Sequence, residues 1–159
     1  MGLRSKGQDS GSCFFMTTSF SNKRPLGNEN GVYRLLSESL QNRLEITSSL
    51  LIGYVLMPSH IHLILFIDGK PLTGFIRDFK KYTAQKSLAN YSENGKLWQD
   101  RYDRQALNSI KTLITKLNYI HTNPVRAGLV KVSTDWFWSS AKDYYTDGLG
   151  PLPVWKGWA

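Results

Sequence analysis

Hydrophobic residues along the chain fall into runs typical of strands and into spacings typical of helices. The segment CFFMTTSF at 13–20 is rich in aromatic and β-branched residues and predicts a first strand. Two longer apolar runs, at 46–57 and 60–67, predict two more strands, and Pro58-Ser59 between them predicts a hairpin. A fourth strand is expected within 94–107, after a turn. The pattern therefore predicts a sheet of four strands.

Between these strands, apolar residues recur at spacings of three and four positions. Val32 to Leu40 covers about three turns of a first helix, and Leu72 to Phe79 marks a second helix. Ser109 can cap a third helix, whose apolar residues run from Ile110 to Leu117. The order β-α-β-β-α-β-α predicts an α+β fold of the ferredoxin-like, split-βαβ type. We expect an antiparallel sheet with helices on one face, followed by the additional C-terminal helix.

The length of 159 residues suits one domain. Residues 1–12 are polar and rich in Gly and Ser, and we expect them to form a flexible leader. The predicted domain covers 13–145. The tail at 146–159 is aromatic but interrupted by Gly and Pro, so we expect it to wrap the domain rather than to form another.

The charge balance indicates a polyanionic partner. Lys and Arg number 20 against 12 Asp and Glu, a formal net charge of +8, which favours nucleic acid or an anionic membrane. No apolar run reaches the roughly 18 residues of a membrane-spanning helix, so nucleic acid is favoured. The single cysteine, Cys13, excludes an internal disulfide and a cysteine-based zinc cluster, and it fits a reducing cytoplasm.

Two of the three histidines stand one residue apart in the stretch MPSHIHLIL. Residues two apart in a strand point to the same face, so His60 and His62 project together while Ile61, Leu63 and Leu65 face the other side. Two neutral imidazoles on a rigid strand can hold a divalent ion. They can equally be two core histidines that backbone groups or water satisfy, and the pair alone leaves both readings open.

A helical wheel of the third helix separates a tyrosine from the apolar stripe. Tyr119 lies roughly opposite the middle of the stripe, and Asn123 lies one turn further on the same polar side. This tyrosine is either a surface residue or, beside a metal-binding histidine pair, a nucleophile. His121 falls within the stripe and is expected in the core. Asn123 precedes Pro124, which disfavours helical backbone there. The predicted stripe consists of Ile110, Leu113, Ile114, Leu117 and Ile120.

Four sequence blocks resemble the HUH-type single-tyrosine transposases, most closely their REP-associated branch. These blocks are MPSHIHLIL, LWQDRY (97–102), YIHTNPVRAGLV (119–130) and DWFWSS (135–140). The resemblance covers about Cys13 to Tyr145, and the tyrosine block is the most specific part. It implies a metal-dependent nuclease and strand transferase that acts on single-stranded DNA, often beside a DNA hairpin, through a 5′-phosphotyrosine intermediate.

The resemblance also implies roles for particular residues. His60 and His62 would be metal ligands, and Tyr119 would be the nucleophile. Asn123 would be the third ligand, where many insertion-sequence relatives carry the longer glutamine. The implied metal is Mg²⁺ or Mn²⁺, of which Mn²⁺ tolerates imidazole better. Relatives act either as monomers or as homodimers that exchange the tyrosine helix, and the expected location is the cytoplasm, on the nucleoid when DNA is bound.

Basic residues cluster in the sequence around the proposed site and suit contacts with DNA phosphates. Each of them can also be part of an ordinary solvated surface. Arg101 and Lys116 are the strongest candidates, whereas Trp98, in a predicted strand, is expected to be buried rather than to stack on bases. The predicted DNA-binding residues are Lys80, Lys81, Lys86, Arg101, Arg104, Lys111, Lys116 and Arg126.

Two other functions remain open from the sequence. One is a degenerate transposase that binds hairpin DNA without cutting it. The other is a zinc-dependent hydrolase in which a carboxylate joins His60 and His62. That carboxylate would come from Asp68, Asp100 or Asp103.

Overall fold

The computed structural model describes residues 12–67 and 72–159, and its strands form a four-stranded antiparallel sheet. The strand order is β2-β3-β1-β4. This order confirms the ferredoxin-like, split-βαβ prediction. The predicted leader lies outside the described residues apart from Ser12, which begins β1. The strands are β1 (Ser12–Ser19), β2 (Leu50–Leu56), β3 (His60–Ile67) and β4 (Asp103–Ala106).

Helices cover both faces of the sheet. The longer helices are α1 (Val32–Thr47), α2 (Leu72–Tyr82) and α3 (Ile110–Arg126), and a short α4 (Ala141–Tyr145) follows. The face that carries Met16, Tyr54 and Leu63 packs against α1 and α2. The opposite face, which carries Phe15 and Ile64, packs against α3. The first two helices therefore share a face as predicted, and the tyrosine helix lies on the other. No helix in the described part of the chain is long and apolar enough to cross a membrane.

Two predicted strands are shorter than expected. Helix α1 continues to Thr47, and Ser48 ends it in the left-handed conformation, so β2 begins only at Leu50 rather than at 46. The predicted strand at 94–107 is a strand only at Asp103–Ala106. Upstream of it, Trp98 forms an isolated bridge with Phe20 and packs into the core. Strand propensity alone could not show that this segment places Trp98 in the core without forming a continuous ladder of backbone hydrogen bonds.

The start of α3 follows the prediction. The Ser109 hydroxyl accepts a hydrogen bond from the Thr112 N–H, and the Thr112 side chain closes a capping box. The buried stripe is rotated from the predicted one. Ile110 and Ile114 are 38% and 44% exposed. The buried positions of α3 are Leu113, Leu117, Ile120, His121 and Pro124.

The segment that contains DWFWSS covers the outer edge of β2. The N–H of Leu56 donates to the carbonyl of Trp138 at 2.8 Å, and the N–H of Ser140 donates to the carbonyl of Tyr54 at 3.0 Å. Further along the tail, the N–H of Trp155 donates to the Leu51 carbonyl at 2.7 Å. Main-chain groups of this edge are therefore used within the chain, which prevents this strand from pairing with another sheet.

Candidate functional site

The paired histidines project from β3 toward α3. Their ring centroids are 4.7 Å apart. His62 is 4% exposed, and His60, at the start of the strand, is half-buried. The intervening Ile61 points into the core on the opposite face. Strand alternation thus produces the shared orientation that the sequence predicted.

Thr17 fixes the orientation of the His62 ring. It lies directly opposite His62 in the pairing of β1 with β3, and its Oγ1 is 2.6 Å from His62 Nδ1. When Nδ1–H donates to this hydroxyl, the lone pair of Nε2 points the other way, where Asn123 Nδ2 stands 3.3 Å from it. Sequence analysis missed Thr17, because only the register between the two strands identifies it.

The environment keeps both imidazoles neutral. Burial, together with smaller contributions from the neighbouring His60, Arg126 and Lys116, lowers the pKa of His62 from 6.5 to about 3. Burial also lowers the pKa of His60, with a contribution from Lys23. Both rings therefore carry free lone pairs at neutral pH, which is the form that binds a metal.

Tyr119 stands beside His62. Its ring centroid is 5.6 Å from that of His62 and 6.0 Å from that of Phe15, both in edge-on geometry. The side chain is 41% exposed, so solvent and a large substrate can reach it. The tyrosine that sequence analysis placed outside the apolar stripe therefore lies next to the buried histidine of the same chain.

Two cations flank the Tyr119 ring. Lys116 Nζ is 5.5 Å from the ring centroid, and the guanidinium carbon of Arg126 is 4.4 Å from it. Arg126 is held in place because it donates to the Tyr119 carbonyl at 3.0 Å and to Thr122 Oγ1 at 2.8 Å. The arrangement favours a phosphate beside the tyrosine.

A glycine lets α3 approach the sheet closely enough to form this site. A Cβ on Gly53 would lie 2.5 Å from Leu117 Cδ1 and 3.2 Å from Ile120 Cδ1. The ladder between β2 and β3 also shifts register between Leu51 and Gly53. The helix continues through Asn123 and Pro124 to Arg126. Because the backbone is still helical at Asn123, its amide lies beside His62.

His121 lies in the core, as predicted. It is fully buried, with Nε2 2.7 Å from Ser140 Oγ and Nδ1 3.0 Å from the Tyr145 hydroxyl. The Tyr145 hydroxyl donates its proton to Asn118, so it accepts from Nδ1. A neutral imidazole satisfies both contacts, one as donor and one as acceptor. His121 thus ties α3 to the segment that covers β2.

We expect this histidine to make stability depend on pH. Burial lowers the pKa of His121 from 6.5 to about 4. Between these values the unfolded chain binds the proton and the folded chain does not, so stability is complete above pH 6.5 and falls as the pH drops. The expected loss of unfolding free energy from this residue between pH 7 and pH 4 is about 3 kcal/mol. Urea unfolding at several pH values would measure it.

The matched control for that measurement is His121→Asn, which keeps a polar group but cannot titrate. Its unfolding free energy should change less between pH 7 and pH 4 than that of the unmodified protein. An identical pH dependence in both proteins would contradict the assignment to His121.

The predicted DNA-binding residues are spread over the surface. Lys116 and Arg126 are at the tyrosine, whereas Arg104 pairs with Met16 and therefore points to the α1 and α2 face. Lys80 lies on α2 and donates to the Gln99 carbonyl at 2.5 Å. Sequence analysis missed Lys23, which the pairing of Ser19 with His60 brings toward the histidines. The remaining predicted positions are exposed: Lys81, Lys86, Arg101 and Lys111.

The carboxylates proposed for a zinc hydrolase do not complete a cluster. Within 12–67 and 72–159, no group of three or more His, Cys, Asp or Glu side chains is placed to hold a metal. Asp100 pairs with Lys96 at 2.9 Å. Asp103 pairs with Thr17 from β4, so strand β1 lies between Asp103 and His62. Asp68 lies outside the described residues. The donors that the structure does bring together are imidazole and amide groups.

Comparison with known proteins identifies a family and several relatives. A family model for IS200-like transposases matches residues 16–123, which include the histidine pair, Tyr119 and Asn123. A Haemophilus influenzae protein assigned as a REP-associated tyrosine transposase is 33% identical over 101 residues, 56% of this chain and 57% of that protein. The REP-associated tyrosine transposase of Escherichia coli K12 is 30% identical over 108 residues, 66% of this chain and 61% of that protein. The chain thus spans about three-fifths of the length of these relatives.

Solved structures share the fold. A REP-associated tyrosine transposase solved with a bound REP hairpin superposes with a TM-score of 0.77 at 24% identity, covering 100% of this chain and 94% of that one. A Deinococcus radiodurans protein assigned as a transposase gives a TM-score of 0.56 at 17% identity, covering 75% of this chain and 95% of that one. At these identities the superpositions establish the architecture.

Proposed function

Because the chain belongs to the IS200-like transposase family, we propose that it cleaves and rejoins single-stranded DNA with Tyr119 as nucleophile. One observation carries the proposal. The Tyr119 ring lies 5.6 Å from the ring of His62, whose Nε2 faces the Asn123 amide at 3.3 Å. The residue proposed as nucleophile and the side chains proposed as metal donors therefore lie side by side within one chain.

The donors around His62 fit a divalent metal. His62 Nε2 and the His60 ring supply neutral nitrogens, and rotation of the Asn123 amide would direct its oxygen toward the same point. Mg²⁺ prefers oxygen ligands, and Mn²⁺ accepts imidazole more readily, so Mn²⁺ should bind more tightly. The bound metal would polarise the phosphate and stabilise the charge on the departing oxygen.

In the proposed reaction, the Tyr119 oxygen attacks a DNA phosphorus. A new bond forms between this oxygen and phosphorus while the bond to the 3′ oxygen breaks, which gives a 5′-phosphotyrosine and a free 3′-hydroxyl. The phenol proton leaves to water on the exposed side of the ring, and the departing oxygen gains a proton. Lys116 and Arg126 hold the negative phosphate beside the ring. A 3′-hydroxyl from another strand can reverse the step and join new ends.

We propose hairpin-bearing DNA as the substrate. The structural relative was solved with a REP hairpin, and the formal net charge of +8 suits a polyanion. Because Tyr119 and His62 meet within one chain, a single copy would hold a complete site and act in cis. Such a protein would work in the cytoplasm, on the nucleoid while DNA is bound.

A covalent-adduct assay tests the function. The protein would be incubated with a 5′- or 3′-labelled hairpin oligonucleotide and Mn²⁺, and the products separated under denaturing conditions. We expect an adduct that carries the segment 3′ to the cleavage site, together with a released strand that ends in a 3′-hydroxyl. Hairpin binding without any adduct would instead favour a DNA-binding protein that no longer cuts.

Thr17→Val is expected to weaken Mn²⁺ binding by about 10- to 100-fold, as loss of an outer partner of a metal-binding histidine does. Valine keeps the shape and strand propensity of threonine but cannot accept the hydrogen bond from His62 Nδ1. The ring then loses its fixed tautomer and orientation. Isothermal titration with Mn²⁺ would measure the affinity without relying on cleavage.

Thr18→Val is the matched control. Thr18 is the next residue of β1, buried where Thr17 is half-buried; it faces away from the histidines, and its hydroxyl has no hydrogen-bond partner among the described residues. This change should leave Mn²⁺ affinity unaltered and should not reduce stability. Equal Mn²⁺ affinities for the two variants would show that Thr17 does not orient a metal ligand.

A further inference from the structure

We propose that a cavity between α2 and residues 95–102 binds one unpaired nucleotide of the DNA strand, an inference that rests on the proposed function. The cavity has a volume of about 380 Å³, which is in the range of small-molecule sites. Five of its lining residues belong to the LWQDRY block, among them the aromatic residues Trp98 and Tyr102. On the α2 side it is lined by Ile76, Arg77, Lys80 and Lys81.

The cavity lining is cationic, with Arg77, Lys80, Lys81 and Lys96 against one carboxylate, Asp100. Lys80 is half-buried, and its ammonium contacts the neutral carbonyl of Gln99. Among the described residues, neither Lys80 nor Lys81 forms a salt bridge, whereas Arg77 is paired with Asp78 and Lys96 with Asp100. Burial lowers the pKa of Lys80 although the nearby Asp100 opposes the shift, and the net lowering reflects the cost of removing the ammonium from water. A phosphate group in the cavity would offset this cost.

The same cavity has an aromatic wall in a fixed position. The Tyr102 ring is half-buried, its hydroxyl donates to Thr73 Oγ1 at 3.2 Å, and Lys80 Nζ lies 6.0 Å from its centroid. Trp98 also lines the cavity, and its ring is held by stacking on Phe20 at 4.5 Å between centroids. A base stacked on Tyr102 would have its phosphate within reach of Lys80. This combination of a π surface and a cation is how unpaired nucleotides are bound.

The cavity lies close to the histidine pair along the main chain. The N–H of Gln99 donates to the Ser19 carbonyl at 2.9 Å, and Ser19 pairs with His60. The cavity segment is therefore two interstrand distances from β3, about 10 Å in all. Because the cavity lies on the α2 face of the sheet and Tyr119 on the α3 face, a strand whose scissile phosphate is at Tyr119 would reach the cavity by passing the end of the sheet at Ser19 and His60, with a nucleotide some distance from the cleaved bond. We infer that the cavity selects the base at that position of the substrate.

An abasic scan would test the proposal by binding alone. Hairpin oligonucleotides with a single-stranded flank would each lack one base, and their affinity would be measured by fluorescence anisotropy. We expect one flank position at which the missing base weakens binding by about tenfold. In Tyr102→Ala that position should no longer matter, whereas Tyr102→Phe should retain the effect. Lys80→Met should weaken binding to all the oligonucleotides and reduce the salt dependence by about one phosphate contact.

Lys131→Met is the control, since Lys131 is exposed and lies outside both the cavity and the tyrosine site. It should leave the abasic profile unchanged. The proposal is wrong if no position is sensitive, or if Tyr102→Ala and the unmodified protein give the same profile. The adduct assay is a separate measurement. If an adduct forms and either of these results is also obtained, only the cavity proposal is contradicted and the proposed nuclease function is not. If the protein did not bind the single-stranded flank at all, both the cavity proposal and the proposed function would be contradicted.

Discussion

Tyr119→Phe is expected to abolish formation of the DNA adduct, with cleavage slowed by roughly 10⁴-fold or more, as when a nucleophile is removed from other enzymes. The substitution removes one oxygen and leaves the ring. Phenylalanine keeps the edge-on contacts with His62 and Phe15 and the position between Lys116 and Arg126. Fold and hairpin affinity should therefore stay within a few-fold of normal. Adduct formation and anisotropy, measured on the same oligonucleotide, would separate chemistry from binding.

The matched control is Tyr82→Phe, which removes the hydroxyl of an exposed tyrosine at the end of α2. Its adduct yield should equal that of the unmodified protein. Retained cleavage in Tyr119→Phe would reject the tyrosine mechanism and return attention to a metal-dependent hydrolase. A loss of hairpin binding in Tyr119→Phe would show instead that the tyrosine serves mainly to hold DNA.

Local rules were sufficient for the central elements of the site. Period-two alternation placed His60 and His62 on one face of β3, and the helical wheel placed Tyr119 outside the buried stripe of α3. Ser109 marked the start of that helix correctly. These features depend on residues close in sequence, so a single sequence contains the information that specifies them. The roles of these residues still rest on the proposed chemistry.

Features that depend on distant residues were not predictable in the same way. Thr17 contacts His62 only because β1 and β3 pair in one register, and Lys23 approaches His60 for the same reason. The buried stripe of α3 is rotated so that Ile114 is exposed and His121 is buried, while Leu117 and Ile120 pack against Gly53. The loss of strand at 94–102 follows from the insertion of Trp98 into the core. Each of these is a tertiary contact that overrides local propensity.

The close approach at Gly53 and the hydrogen bonds of His121 both fix the position of α3 on the sheet. Gly53 sets how near α3 comes to the sheet, and His121 fixes the helix to Ser140, which is bonded to Tyr54 in β2. Together they determine where Tyr119 and Asn123 stand relative to His62. The histidine in the YIHTNPVRAGLV block is therefore best understood as structural support for the two polar residues on either side of it.

His62→Ala is expected to have the largest effect on metal binding. Mn²⁺ affinity should fall by more than the 10- to 100-fold expected from loss of an outer partner such as Thr17, because an inner donor is removed. Adduct formation should fall with it, since His62 is the donor closest to both Tyr119 and Asn123. Isothermal titration with Mn²⁺ and the adduct assay at saturating Mn²⁺ would measure the two effects separately.

Removing His62 also leaves a gap between Phe15, whose ring stacks on it at 5.4 Å, and Tyr119. A loss of affinity could then reflect loosened packing rather than a lost ligand, and two variants distinguish these causes. His62→Leu fills most of the gap and has no atom that can coordinate a metal, so it should bind Mn²⁺ much more weakly than the unmodified protein while remaining as well folded. His121→Asn loosens the attachment of α3 to Ser140 and Tyr145 but leaves the donors of His60, His62 and Asn123 in the chain, so its loss of Mn²⁺ affinity should be smaller. If His121→Asn lowered the affinity as much as His62→Leu, the metal would depend on the general integrity of α3, and His62 would lose its assignment as a ligand.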